Sequence, residues 1–304
     1  MRKEYLQSFY KRFDFPGEAV ASLNADYDKI ASDNAVFAAF EAPVILYESG
    51  TPFNFDDGVK AAEEAAERVG VHKYAADMLF ICMLTEQLGR NFVKGGKSDE
   101  LFFDTVYDIT CKLHECHKMY GIWGTFVVGW YEGLFEGYRY AFGRLQFEDR
   151  VRHGDDLKLK NITVSDGEHY LDMHIPSRGR LAYEDVLASY KAAYEYFKDF
   201  REDGLVPIFT ESWLLDVSLP TILPQGSNIV RFASDFRLYR QTWNDRDPFP
   251  DAWRVFYDDT YKKQIADYSE DTAMKKAIKQ HLMNGGHIGE GYGYIVMDKN
   301  GMAK

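Results

Sequence analysis

Apolar side chains recur at helical spacing from Glu4 to about Phe142, as in Ala75, Met78, Leu79 and Cys82, and this period predicts an all-helical first half. Breaks at Pro16, Pro43, Pro52 and the Gly95-Gly96 pair divide it into five to seven helices. The run from Asp56 to Val69, rich in Ala and Glu, predicts a strong helix with one polar face, capped by Asp56 or Asp57. In the last helix of this half, Gly129, Gly133 and Gly137 recur every four residues. They predict one stripe of close packing against the second half of the chain, an inter-domain hinge surface.

After Gly143 the period changes to two. RLQFEDRVR, LKLKNITV and HYLDMHIP alternate between apolar and polar positions and are divided by Gly154-Asp155 and Asp166-Gly167, which predicts a three-stranded antiparallel meander. An amphipathic helix over Leu181 to Arg201 comes next, then a buried strand LVPIFTESWLLD, a short helix over Val217 to Leu223 and the strands DFRLYRQTW and WRVFY. A helix over Asp271 to Asn284 and a strand GYGYIVMD close the pattern. The mixed order predicts an α+β fold, with an all-α domain over 1–142 and a mixed, largely antiparallel α/β domain over 143–304.

Composition narrows the function classes. The chain is 46% hydrophobic and 16% aromatic, too rich in bulky side chains for a disordered polymer, and 304 residues suffice for two cores. A net charge of -12 repels nucleic acid and anionic membrane surfaces, so neither is an expected partner. The most apolar stretch, Ile122 to Leu145, carries Glu132, Glu136 and Arg139, which argues against a membrane span. Three cysteines and no apolar N-terminal leader predict a cytoplasmic protein.

Several motif fragments lead nowhere. Gly96-Lys97-Ser98 ends like a phosphate loop, but Asn91 stands at the required upstream glycine and a helix precedes it. Gly289, Gly291 and Gly293 have the wrong spacing for a dinucleotide fingerprint and lead into a strand, as a helix-to-strand loop would. Cys111, His114, Cys116 and His117 are dense in soft ligands, yet on one helix they do not converge tetrahedrally, so no metal is expected.

The strings HIPSRGRL, FTESWLLD and LPQGSNIVRF, with GRLQF at the junction, resemble the GNAT-like C-terminal domain of a family of bacterial acyltransferases in which a helical acyltransferase-associated domain comes first. The resemblance implies acetyl-CoA or another acyl-CoA as co-substrate and a small-molecule acceptor. In a GNAT fold two central strands part and the pantetheine arm bonds to the exposed backbone as a further strand would. Here those strands are HYLDMHIP and LVPIFTESWLLD, and the diphosphate would rest on the loop opening the next helix, Ser177, Arg178, Gly179, Arg180 and Leu181. Gly179 permits close approach and the two arginines can pair with phosphate, although the usual second glycine is missing.

Acyl transfer needs a base, an oxyanion donor and an acid for the thiolate. Alternation puts Asp172 and His174 on one face of their strand and Glu211 and Trp213 on one face of theirs. A His174 to Glu211 pair across the cleft is the expectation, with either residue as base. Trp213, Asn228 and Arg231 are candidate acceptor contacts beside Asp172, and Tyr239 a candidate acid. The alternatives are a core histidine at 174, an arginine-paired Glu211, and capping or salt-bridging roles for residues 228 and 231. With no cysteine in the second half, transfer is direct rather than through an acyl-enzyme. The rival readings are a GNAT-like module that binds a small molecule without catalysis, and an interaction protein whose aromatic surface serves a homo-oligomer.

Overall fold

A computed structural model describes residues 2–257, 259–262 and 264–303. It divides into two compact units, Met1–Tyr140 and Ala141–Lys304. The first holds α1 (Arg2–Arg12), α2 (Gly17–Ala31), α3 (Asn34–Glu48), α4 (Phe55–Glu67), α5 (Lys73–Lys94), α6 (Asp99–Val106), α7 (Asp108–Tyr120) and the single turn α8 (Glu132–Phe135). Ala75 to Leu84 of α5 is buried around its whole circumference, so α5 is the hub on which α1 to α4, α6 and α7 pack. No single helix among the described residues is long and apolar enough to cross a membrane.

Local chemistry sets the helix ends and corrects three expectations. Asn54, not Asp56 or Asp57, caps α4: its side chain accepts from the Asp57 N–H at 2.9 Å. Pro43 lies inside α3 instead of ending it, because its ring is buried with Phe40 and Val44, and tertiary packing outweighs the missing amide. Gly129, Gly133 and Gly137 share no helical stripe. They fall in a short 3-10 turn, in α8 and in a left-handed turn at φ 85°, and the Tyr138 ring packs where a Gly133 side chain would stand.

The second unit is built on a sheet of β1 (Arg139–Phe142), β2 (Leu145–Val151), β5 (His169–His174), β6 (Val206–Ser212), β8 (Glu290–Asp298) and β7 (Arg237–Thr242) in that spatial order, with β9 (Gly301–Met302) added to β8. The expected three-stranded meander is replaced by direct antiparallel pairing of β2 with β5. The middle segment folds on itself as a hairpin of β3 (Leu157–Lys158) and β4 (Thr163–Val164), closed by Leu159 N–H donating to Ile162 O at 2.9 Å. Its apolar side chains, Leu157, Leu159, Ile162 and Val164, cover Phe209, Tyr294 and Val296. Burying four such residues outweighs extending the sheet.

α9 (Tyr183–Phe197) follows β5 and α10 (Leu219–Ile222) follows β6. α11 (Asn228–Ala233), α12 (Trp253–Phe256), α13 (Asp259–Lys262) and α14 (Ala273–Met283) complete the unit. WRVFY is therefore helical at α12, where Arg254 reaches back to Asp251 at 2.7 Å in a helical i,i+3 pair. Gly291 and Gly293 lie within β8 rather than in a loop before it, and Leu215 occupies the space beside both where a Cβ would project.

Asp77 of α5 is 2% exposed and shares a hydrogen bond with Glu63 of α4. Burial, and then that second carboxylate, push its proton affinity up to about 8. Between the unfolded value near 4 and that folded value, the native state holds a proton that the unfolded chain has released. Stability therefore falls as pH rises through this window. Urea unfolding from pH 5 to 8 should show this decline, and Asp77→Asn should remove it. Parallel pH profiles for wild type and variant would contradict the assignment.

Candidate active site

β6 is bonded along its full length to β8, from Val206↔Met297 to Ser212↔Gly291, but to β5 only at Leu171↔Ile208 and Asp172↔Phe209. The parallel ladder stops there. Past its last pair the Thr210 hydroxyl donates to the Met173 carbonyl at 2.8 Å, so a side chain takes the place of a ladder bond. Side chains at and beyond the stop face a cavity of about 250 Å³, lined by Asp172, Phe209, Thr210 and Glu211 together with Tyr170, Tyr239, Tyr292, Arg152 and the hairpin residues Leu157 and Val164.

Register decides which side chains share that face. Across the β2–β5 ladder Glu148 stands opposite Asp172 and Gln146 opposite His174. Glu148, Asp172 and His174 thus come together, their ligand atoms within 4.8 Å of one another. His174 Nε2 is 3.3 Å from Glu148 Oε1 and 4.0 Å from Asp172 Oδ2. Glu148 is fully buried and its second oxygen accepts from Arg150, whose guanidinium is the cation of the cluster. Burial, opposed by His174 and reinforced by Glu148, holds the Asp172 carboxyl above the usual range.

The expected partners are exchanged. His174 meets Glu148, and Glu211 accepts a short hydrogen bond from the Tyr292 hydroxyl. Glu211 also shares a hydrogen bond with Glu290, which burial first and that contact second push up to about 7. Burial followed by the nearby carboxylates raises Tyr239, and burial with the Glu211 contact raises Tyr292, so both phenols keep their protons at neutral pH. Asp172 and Glu211 line the cavity, whereas His174 adjoins it through Asp172.

The loop between β5 and α9 has a buried organiser that sequence pattern does not reveal. Arg144 is 8% exposed and its guanidinium donates to the carbonyls of Pro176 at 2.6 Å, Arg180 at 3.3 Å and Gly179 at 3.5 Å. Arg178 donates in turn to Gly143 O at 3.1 Å, and Gly179 adopts φ 66°, a left-handed conformation suited to glycine. The loop thus carries Ser177 to Leu181 into the first turn of α9, whose N-cap Ala182 offers no side-chain acceptor. Glu184 and Asp185 occupy that first turn.

Three other candidates lie elsewhere. Trp213 is buried against Phe249 with ring centroids 5.5 Å apart. Asn228 opens α11, and the Arg231 guanidinium sits 3.8 Å over the Tyr183 ring at the start of α9. None of the three lines the cavity. Among the histidines and cysteines of α7, Cys111 and Cys116 are buried thiols and the His117 ring stacks on Trp123 at 3.7 Å. Glu148 stands beside Asp149 and Arg150 on β2, and its partner depends on pairing of β2 with β5.

Comparison with known proteins gives two family matches: the GNAT-like C-terminal domain over residues 139–295 and the N-acyltransferase N-terminal domain over residues 4–137. No curated protein matches. Three solved structures share the fold at 18–19% identity. One is an acyltransferase variant in complex with octanoyl-CoA, TM-score 0.72, the match covering 96% of this chain and 87% of that one. The others are an acyltransferase with decanoyl-CoA and one with decanoyl-CoA and teicoplanin, both with TM-score 0.68 and covering 95% of this chain and 86% of theirs.

Replacing Arg144 by Met removes the donor for three carbonyls. The expected loss of stability is about 1–3 kcal/mol, as for a buried hydrogen-bonding group deprived of its partner. Limited proteolysis should become faster within 176–182. A variant with an unchanged urea midpoint and unchanged cleavage would show that the loop holds its shape without Arg144.

Proposed function

The chain belongs to the family of the GNAT-like C-terminal domain, here preceded by the N-acyltransferase N-terminal domain, and we propose that it transfers an acyl group from acyl-CoA directly to a small-molecule acceptor, an amine before a hydroxyl. The observation that carries this reading is the β5–β6 ladder, which ends after two pairs beside a cavity and leads directly into the Arg144-braced loop. A thioester arm can lie along the backbone past Asp172, with its diphosphate at Ser177 to Leu181 and the Arg178 and Arg180 side chains as counter-charges. The similar acyltransferases bound to octanoyl-CoA and decanoyl-CoA support a medium-length chain as readily as acetyl.

The cavity suits the acceptor. Tyr170, Phe209, Tyr239 and Tyr292 present aromatic faces and edges, and Asp172 and Glu211 present carboxyl groups, a combination that attracts a cationic amine. In the transfer step the bound ammonium first gives one proton to solvent, and the neutral nitrogen then attacks the thioester carbonyl and forms the C–N bond. His174 removes the amine proton, directly or through Asp172. The C–S bond then breaks, and the thiolate of CoA takes a proton from a phenol, Tyr239 or Tyr292. The products are an amide and free CoA, with no acyl-enzyme.

A second reading has its own observation. The loop carries one glycine rather than the usual pair, and Glu184 and Asp185 at the first turn of α9 oppose an anion there. That combination fits a module that holds a small molecule in the cavity without acyl transfer.

Calorimetry with acetyl-, octanoyl- and decanoyl-CoA separates the two. The acyltransferase reading expects binding of at least one, weakened about 10- to 100-fold when Arg178 and Arg180 are changed to Ala, the cost of losing charge-assisted hydrogen bonds. With a primary amine as acceptor, His174→Ala should lower kcat by about 10²–10⁴, the span of general-base catalysis. A protein that binds small amines but none of the three thioesters is the binding module instead.

A further inference from the structure

The acyl-transfer reading leaves unexplained why a carboxylate with no exposure stands behind the candidate base. Glu148 sits on β2 between Phe147 and Asp149, and antiparallel register places it opposite Asp172 and one pair away from His174. Burying an ionised carboxylate is costly unless it is paired, and the fold supplies two partners, the Arg150 guanidinium and the His174 imidazole. Asp172 faces the same imidazole from the cavity side, at 4.0 Å.

We propose that Glu148 is a positioning residue of the acyl-transfer site: its buried carboxylate, 3.3 Å from Nε2, stabilises the imidazolium formed when His174 accepts the acceptor's proton. The proposal rests on the acyl-transfer reading above. The charge that appears on the ring then lies between Glu148 and Asp172, so proton transfer separates no charge into a medium without a counterion. Arg150 moderates the effect from the other side of Glu148. The charged groups facing His174 are accordingly Glu148 and Arg150 on β2, Asp172 on its own strand and, across the cavity mouth, Glu211 on β6, which acts on it by way of Asp172.

This arrangement predicts shifts of opposite sign for two neighbouring substitutions. Glu148→Gln keeps the size and a hydrogen-bonding group but removes the charge, so the titration midpoint of His174 should fall. Arg150→Gln removes a cation from Glu148 and should raise it.

The measurement is an NMR titration of histidine-labelled wild type, Glu148→Gln and Arg150→Gln, with His174→Gln to assign the resonance and calorimetry with decanoyl-CoA alongside. With an amine acceptor, the acid limb of the pH–rate profile should move in the same sense as each midpoint. Identical midpoints in the three proteins, or shifts of one sign in both variants, would overturn the proposal. If Glu148→Gln does not fold, Arg150→Gln decides alone, and an unmoved midpoint there is equally fatal. A wild type that binds no acyl-CoA sinks the acyl-transfer reading, an outcome the titration does not share.

Discussion

A parallel pair of strands that bonds at two positions and then stops imposes a definite problem on the backbone around it. β6 meets its obligations on one side through seven pairs with β8, while on the other only Ile208 and Phe209 lie in register with β5. Backbone amides and carbonyls removed from water must find partners. Thr210 supplies one for Met173 O, and Pro176, with no N–H to satisfy, begins the turn out of the sheet. The cavity, the loop and the carboxylate cluster all lie within a few residues of that stop. Lengthening the ladder by two pairs would fill the space that the chemistry requires.

The neighbouring elements hold the opening in place. On one face the hairpin packs Leu157, Leu159, Ile162 and Val164 against Phe209 and Tyr294, and Leu157 and Val164 line the cavity. At the loop, Arg144 gathers three carbonyls that have no place in a strand or helix. Across β2 and β5, Arg150, Glu148, His174 and Asp172 form a chain of contacts in which Glu148 is buried and Arg150 partly exposed. Each arrangement is a local solution to an electrostatic or hydrogen-bonding deficit, and together they gather titratable groups beside the end of the β5–β6 ladder.

Much of this framework could be read from local pattern. HYLDMHIP, LVPIFTESWLLD and the helix after Leu181 have clear periods and clear punctuation, and they form β5, β6 and α9. Short aromatic runs were less informative: WRVFY alternates like a strand, but Asp251 and Arg254 pair at helical spacing and make it a turn of helix. LKLKNITV has the composition of a sheet strand, yet the bend at Lys160 and Asn161 returns it on itself. The site divides along the same line. Alternation puts Asp172 on one face of its strand and Glu211 on one face of its own, and both line the cavity. Glu148 and Arg144 were not legible, since the partner of each comes from a segment about 25 to 35 residues away in the chain and is fixed only by register. Trp213 shows the opposite failure, an aromatic residue at a promising position whose ring is used by the core.

The central claim is that the end of the β5–β6 ladder and the loop after it receive an acyl-CoA. Backbone hydrogen exchange, followed by mass spectrometry with and without saturating decanoyl-CoA, reads that directly. The account predicts slower exchange confined to 173–182 and 210–212. Protection of a different segment, with those amides unchanged, would contradict it.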